Sequence, residues 1–322
     1  MLAALAALIA AAFCLTLMLG QSWTPPGTVM RVLLGQDVPG ASFTVGQLRL
    51  PRAVLAVLAG ASFGMGGAAF QTLLRNPLAS PDIIGITLGA SAAAVFAIIV
   101  LGLSGASVQV MAVASGLGIA LAVHALSWRG GTAGTRLILI GIGIAAMLQS
   151  TIAYLLSRAP AWDLQQAMRW LTGSLNGAQP AQIPPVLLAL ALCGGLLLSR
   201  ARDLESMRMG DDTAAALGVR TGRTRLLIIA CATGMIAVAT AVTGPIAFVA
   251  FLAGPIAVRI TGHGGSVLGP AALTGAALVL IADYAGQFLL PGRYPVGVVT
   301  GALGAPYLIW LIIRANRNGG TL

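Results

Sequence analysis

Ten long apolar runs constrain this chain more than any other feature. They cover residues 2–19 and 48–74, a stretch from just after Asp82 to near Leu103, and about 108–127, 137–156, 184–199, 225–243, 245–260, 267–290 and 296–313. Crossing the hydrocarbon of a bilayer takes about 20 apolar residues as a helix. In lipid every backbone N–H and C=O must be satisfied internally, which leaves helices or closed barrels. Barrel strands read as alternating segments of about 10 residues, whereas these runs are continuous and rich in Leu, Ala and Gly. The expectation is an all-α, polytopic membrane protein of about ten transmembrane helices. The chain is 58% hydrophobic and 8% charged, far from the roughly 25% charge of a soluble domain.

The formal charge of +10 comes from 18 basic residues against 8 acidic ones, and every basic residue is Arg. In a membrane protein such an excess reads as positive-inside loop bias, not as a nucleic-acid surface. With the N-terminus placed in the cytoplasm and the spans alternating, Arg31, Arg49, Arg52, Arg158, Arg169 and Arg293 fall outside and the other twelve inside. Both termini are then cytoplasmic and membrane lipid is the surrounding partner. Residues 2–19 lack a basic leading region and a small-x-small cleavage pattern, so a retained helix is expected there. The absence of Lys removes the residue that a Walker A loop places on the β/γ-phosphates. ATP chemistry is therefore expected on another subunit.

Little here suggests catalysis. Cys14, Cys193 and Cys231 each lie inside an apolar run and read as small hydrophobes. His124 and His263 are far apart, so no metal-ligand spacing is visible. Asp283 is the one acid well inside a span; it reads as a structural residue hydrogen-bonded between helices, the alternative being a step on a proton path. Glycines such as Gly60, Gly64, Gly67, Gly85, Gly89, Gly141 and Gly143 read as close helix packing.

The stretch from Arg200 to Arg225 is the longest polar interruption on the inner side. It mixes Arg202, Asp203, Glu205, Arg208, Asp211 and Asp212, with Gly210 before a short helical pattern and Gly218 as its stop. Asp211 and Asp212 stand at that helix's start, where carboxylates suit the dipole. By pattern alone this is a solvated loop. On the outer side, Arg49 and Arg52 flank Pro51 at the mouth of the second span, where they can anchor to lipid headgroups. Asn76-Pro77-Leu78 joins the second and third spans, with Pro stopping a helix and Asn capping one.

An ordered series of segments carries more. It runs Arg49-Leu50-Pro51-Arg52, Gly60-Ala61, Gln71, Arg75-Asn76-Pro77-Leu78-Ala79-Ser80-Pro81 and Gly85, then Trp170-Leu171-Thr172-Gly173-Ser174-Leu175. Gly210-Asp211-Asp212-Thr213-Ala214 with Leu217-Gly218-Val219 follows, then Gly244-Pro245-Ile246-Ala247-Phe248, and last Tyr294 to Thr300 with Gly304-Ala305-Pro306. From about residue 48 onward the chain resembles the FecCD-type permeases of binding-protein-dependent ABC importers, which carry ferric siderophores, haem and cobalamin. The Gly210 loop and the Pro-Val-Gly-Val-Val stretch look most like the ferric enterobactin permeases of the catecholate branch.

The resemblance implies a type II importer permease fold, one transmembrane domain over 1–322 with a cytoplasmic coupling loop at about 200–223. It implies that Gly210, Asp211, Asp212, Thr213, Ala214, Leu217 and Gly218 engage a nucleotide-binding subunit. Arg49 and Arg52 would dock an extracytoplasmic siderophore-binding protein. Relatives of the cobalamin branch carry an Arg where Gln287 stands and a Glu before the Pro-x-Gly motif, where this chain has Arg293 and Tyr294, so Arg293 is expected to supply the missing docking charge. Asn76, Leu78, Gly134 and Thr135 would narrow the cytoplasmic gate. The His that relatives carry in the eighth span is absent from Gly254-Pro255-Ile256. Implied partners are a second permease subunit, a paralogue in preference to a copy, and two copies of an ABC ATPase holding ATP and Mg; no cofactor is expected on this chain. The implied function is import of ferric siderophore across the bacterial inner membrane by alternating access. Cobalamin or haem is the alternative cargo and a proton-coupled carrier the alternative class.

Overall fold

The computed structural model describes residues 1–80, 85–127, 133–262 and 265–317. Among the described residues the structure is helical and without strands. The helices are α1 (Leu2–Met18), α2 (Pro26–Leu33), α3 (Ser42–Leu73), α4 (Ile86–Ile99), α5 (Ala106–Ser127), α6 (Ala133–Arg158) and α7 (Ala161–Leu171). They continue as α8 (Pro180–Ser199), α9 (Ala201–Arg208), α10 (Asp211–Ala216), α11 (Thr221–Thr243), α12 (Val249–Thr261), α13 (Leu268–Leu289) and α14 (Val296–Arg317). Six are long and apolar enough to cross a membrane, and four shorter apolar helices, α1, α4, α12 and the greater part of α14, stand at the remaining runs. The ten runs read from the sequence thus each become one apolar helix.

α3 is the axis of the bundle: 83% of its most apolar window is buried, and α11, α12 and α13 pack around it. Lipid tails are as apolar as Leu, so helix association has to come from close van der Waals approach. Small residues supply it. A Cβ on Gly60 would run into the Gly275 carbonyl of α13, and one on Gly275 would run into the Gly60 carbonyl in return. At the other extreme, only 11% of the α6 window and 17% of the α8 window are buried. Leu139, Ile142 and Met147 of α6 stand exposed, on a surface that in a bilayer meets lipid or another subunit.

Four helices are not spans. α2 and α7 lie beside the end of the bundle that carries Arg52, both started by Pro at or just before the first helical turn. α9 and α10 form the Gly210 loop at the opposite end. The sequence reading assigned the α2 region only as a polar stretch and did not foresee α7.

Candidate functional site

At the Arg52 end the three predicted docking arginines line one cleft of about 390 Å³, with Asp283, Tyr284 and Gln287 among its other walls. Two wide π-type turns shape it, Ser42–Arg49 at the start of α3 and Ala285–Leu289 at the end of α13. Such turns re-aim the side chains they carry and recur at functional sites.

The three arginines are not equivalent. Arg49 turns back to the C-terminus of α1, its Nη1 donating to the Leu17 and Met18 carbonyls at 2.9 and 3.1 Å and its Nη2 to the Ser22 carbonyl at 2.9 Å. It thereby satisfies carbonyls that the last turn of a helix leaves without intrahelical partners. Arg52 makes a bidentate pair with Asp283, Nε to Oδ2 at 2.6 Å and Nη2 to Oδ1 at 2.7 Å, and its Nη1 donates to Asn176 Oδ1 at 2.8 Å. Asp283 is 3% exposed, so this is a fork-to-fork pair in a dry setting. Asp283 is hydrogen-bonded between helices, as read from the sequence. Arg293, by contrast, is exposed and makes no hydrogen bond or ion pair among the described residues. Beside it, Gln287 Nε2 is buried and has no hydrogen-bond partner. The cleft therefore holds a spare cation, with an unpaired buried donor beside it.

Three of the motif segments meet behind this cleft. The Ser174 N–H donates to the Thr243 carbonyl at 2.7 Å, and the Gly297 N–H to the Gly173 carbonyl at 3.1 Å. The loop after α7, the end of α11 and the start of α14 are thus knitted backbone to backbone. Gly173 has φ +67° and abuts the Pro245 carbonyl, so it lacks room for a side chain as well as the backbone freedom to carry one.

At the opposite end α3 stops in a Schellman motif. The Asn76 N–H donates to the Gln71 carbonyl at 3.0 Å and the Arg75 N–H to the Thr72 carbonyl at 3.2 Å. The left-handed position in such a stop is usually Gly; here it is Arg75, with φ +53°, at a cost of about 1–2 kcal/mol. Its side chain is what the strain holds in place. Arg75 Nε donates to the Met207 carbonyl at 3.0 Å, and Nη2 reaches Asp211 Oδ1 at 2.5 Å. The other carboxylate oxygen of Asp211 accepts from Arg225 Nη2 at 2.7 Å. One carboxylate at the start of α10 thus bridges the ends of α3 and α11.

The short helix read between Gly210 and Gly218 is present as α10. Gly210, with φ +119°, turns the chain between α9 and α10. Gly218 ends α10 in a second Schellman motif, its N–H donating to Ala215 at 2.9 Å and that of Val219 to Ala214 at 3.0 Å. Ala214 is buried beneath the helix, while Asp212, Thr213 and Leu217 face outward. Asn76 Oδ1 accepts from the Leu78 N–H at 2.8 Å in a local Asx turn, which places both predicted gate residues directly beside Arg75. Gly134 and Thr135 fall in the first turn of α6; the Thr135 side chain lies outside the described residues, as do Pro81 and His263. Among the described residues, no three His, Cys, Asp or Glu side chains cluster to hold a metal ion.

The profile of the FecCD transport family matches residues 8–314. The chain is 42% identical over 294 residues to the ferric enterobactin transport system permease protein FepG of Escherichia coli, a match covering 90% of this chain and 88% of that protein. It is 37% identical to the achromobactin transport system permease protein CbrC of Dickeya dadantii, over 96% of this chain and 90% of that one. A second Escherichia coli protein, the ferric enterobactin transport system permease protein FepD, is 35% identical over 97% of this chain and 94% of its own length. Among solved structures, a metal-chelate type ABC transporter in an inward-facing conformation superposes with a TM-score of 0.87 at 25% identity, covering 97% of this chain and 98% of that one.

Proposed function

This chain belongs to the FecCD transport family, and we propose that it is the permease subunit of an ABC importer carrying a ferric siderophore of the catecholate type across a bacterial inner membrane. The observation that carries the cargo is the high identity, over nine-tenths of the chain, to a permease named for ferric enterobactin transport. Two permeases of one organism share that name, which supports a paralogue as the second permease subunit, seated on the open faces of α6 and the helices beside it. The chain is then one transmembrane domain over 1–322 with its coupling loop at about 200–223. Both termini are cytoplasmic, consistent with the arginine bias.

ATP and Mg are handled by two copies of a cytoplasmic ATPase, and this chain holds no cofactor and performs no hydrolysis. The outward face of α10, with Asp212, Thr213 and Leu217, sits in a cleft of the ATPase, and Asp211 passes its displacement to α3 and α11 through Arg75 and Arg225. Asn76 and Leu78, tied to the same residue, narrow the inner end of the path, together with Gly134 and Thr135. Outside, the loaded binding protein docks at the arginine cleft. Arg293 offers it an unmet cation, while Arg49 and Arg52 hold the cleft's walls. Docked protein and ATP each shift the inward–outward equilibrium only by their preference for one state.

The coupling assignment is tested by reversing Asp211 and Asp212 to Arg in the complete transporter. Uptake of radiolabelled ferric siderophore into proteoliposomes is expected to fall below a tenth of wild type, with the complex still assembled. ATPase stimulation by loaded binding protein at the wild-type level in that variant would overturn the assignment.

A further inference from the structure

A second cleft at the outer end, about 570 Å³, shares Arg293 with the docking cleft but is otherwise lined by residues given no role above. Its volume lies in the range of small-molecule sites. One wall is α7, which turns Trp162, Gln166, Arg169 and Trp170 toward it. Their spacing of four, seven and eight residues from Trp162 puts all four on one helix face. Gln109 of α5 and Arg293 stand across from them. The lining contains two arginines and no carboxylate, so its field is positive, and neither guanidinium makes an ion pair among the described residues. Trp162 is 75% exposed. An interfacial belt explains one exposed Trp on an outer helix. It does not explain two indoles, two unpaired guanidinium groups and three amides, those of Gln109, Gln166 and Asn176, converging on one concavity.

We propose that this cleft receives an anionic, aryl-bearing ferric chelate as it leaves the binding protein. The proposal rests on the siderophore reading and narrows it to a chemical class. Three dianionic catecholates around Fe(III) leave a trianion whose outer surface is aromatic edge and face. Indole faces stack on such rings with little demand for sequence of contacts. Guanidinium groups meet phenolate oxygens by charge-assisted hydrogen bonds and can also stack on the rings. A neutral trihydroxamate chelate offers neither the charge nor the rings. Two exposed arginines against a trianion, in a cleft open to water, give a weak and fast site, as suits a cargo that must move on.

The test uses the assembled transporter in lipid nanodiscs, without binding protein or nucleotide. Equilibrium binding is measured for radiolabelled ferric tris(2,3-dihydroxybenzoate), with a neutral ferric trihydroxamate as the comparison probe. We expect saturable catecholate binding that weakens with salt, about tenfold weaker in Arg169→Gln and in Trp162→Ala, within about threefold of wild type in Trp162→Phe, and absent for the trihydroxamate. Equal catecholate affinity across all variants, or equal binding of the trihydroxamate, would overturn the cleft assignment. ATP-driven uptake of ferric catecholate by the wild-type complex with its binding protein is measured in parallel. Uptake together with variant-insensitive binding sinks the cleft alone, whereas no uptake sinks the cargo reading on which it rests.

Discussion

At the Arg52 end, loops far apart in sequence lock through backbone hydrogen bonds and a buried bidentate ion pair; at the Gly210 end, a half-exposed carboxylate bridges two arginines on the surface. The difference is one of dielectric and of entropy. A pair withdrawn from water is barely screened and cannot rearrange without stranding a charge. An exposed pair is worth about 0–1 kcal/mol and exchanges readily with water and salt. The first suits a surface that, in the function proposed above, presents a fixed register to a docking partner. The second suits an element that, in the same proposal, a partner moves. The α3 helix spans both ends, so one rigid rod connects the fixed fastening to the adjustable one.

Breaking the fixed end at its centre has the largest expected effect. Asp283→Ala strips the part-buried Arg52 of its carboxylate and leaves it only Asn176, and a loss of about 3 kcal/mol is expected, read as earlier loss of monodisperse protein when detergent-solubilised complex is heated. Replacing both partners, Arg52→Met with Asp283→Leu, is expected to recover most of that loss, because no charge is then stranded. A double variant as unstable as Asp283→Ala would mean that the pair itself, and not the stranded charge, stabilises this end.

A subtler break separates backbone strain from crowding. Gly173 and Gly177 both have positive φ, +67° and +76°, but a Cβ on Gly173 meets the Pro245 carbonyl whereas one on Gly177 meets nothing. Gly177→Ala is expected to cost about 1 kcal/mol, the strain alone. Gly173→Ala adds overpacking of the loop knot and is expected to cost about 3 kcal/mol in total. Equal melting shifts for the two would show that the knot gives way easily and that the fixed end is fixed only by its ion pair.

Which of these fastenings could be read from the sequence follows from how local each is. The spans were legible because lipid imposes long apolar helices whatever they pack against. Gly218 was legible because a left-handed stop favours Gly within a residue or two of the helix it ends. Asp283 was read as a hydrogen-bonded structural residue, but its partner, 231 positions earlier, left no local trace. Arg49 and Arg52 share one motif, yet one folds back on α1 and the other crosses to α13, a division set by tertiary packing. α7 was missed because its periodic face, Trp162 to Trp170, borders an outer loop and looks like interfacial filler until the opposite wall is in place. Asp211 was read as a dipole partner for a short helix. The structure gives it two arginines on neighbouring helices instead, and the left-handed Arg75 that makes this possible has no sequence signature, since the position ordinarily calls for Gly.

That last residue sets up the smallest and most discriminating change. Arg75→Gly removes an exposed ion pair but also releases the left-handed strain, and the two terms nearly cancel, so global stability should stay within about 0.5 kcal/mol of wild type. Arg75→Ala removes the pair and keeps the strain, and should be the less stable of the two by about 1 kcal/mol. If Arg75 serves coupling, the Gly variant is the informative one: normal melting, faster amide exchange across α9 and α10, and uptake reduced although the fold is intact. Raising the salt on wild type should reproduce the faster exchange at α9 and α10 while leaving the loops around Gly173 protected. Were the Gly variant to keep full uptake, the strained arginine would be a local anchor only, and the displacement of α10 would have to reach the bundle through Arg225.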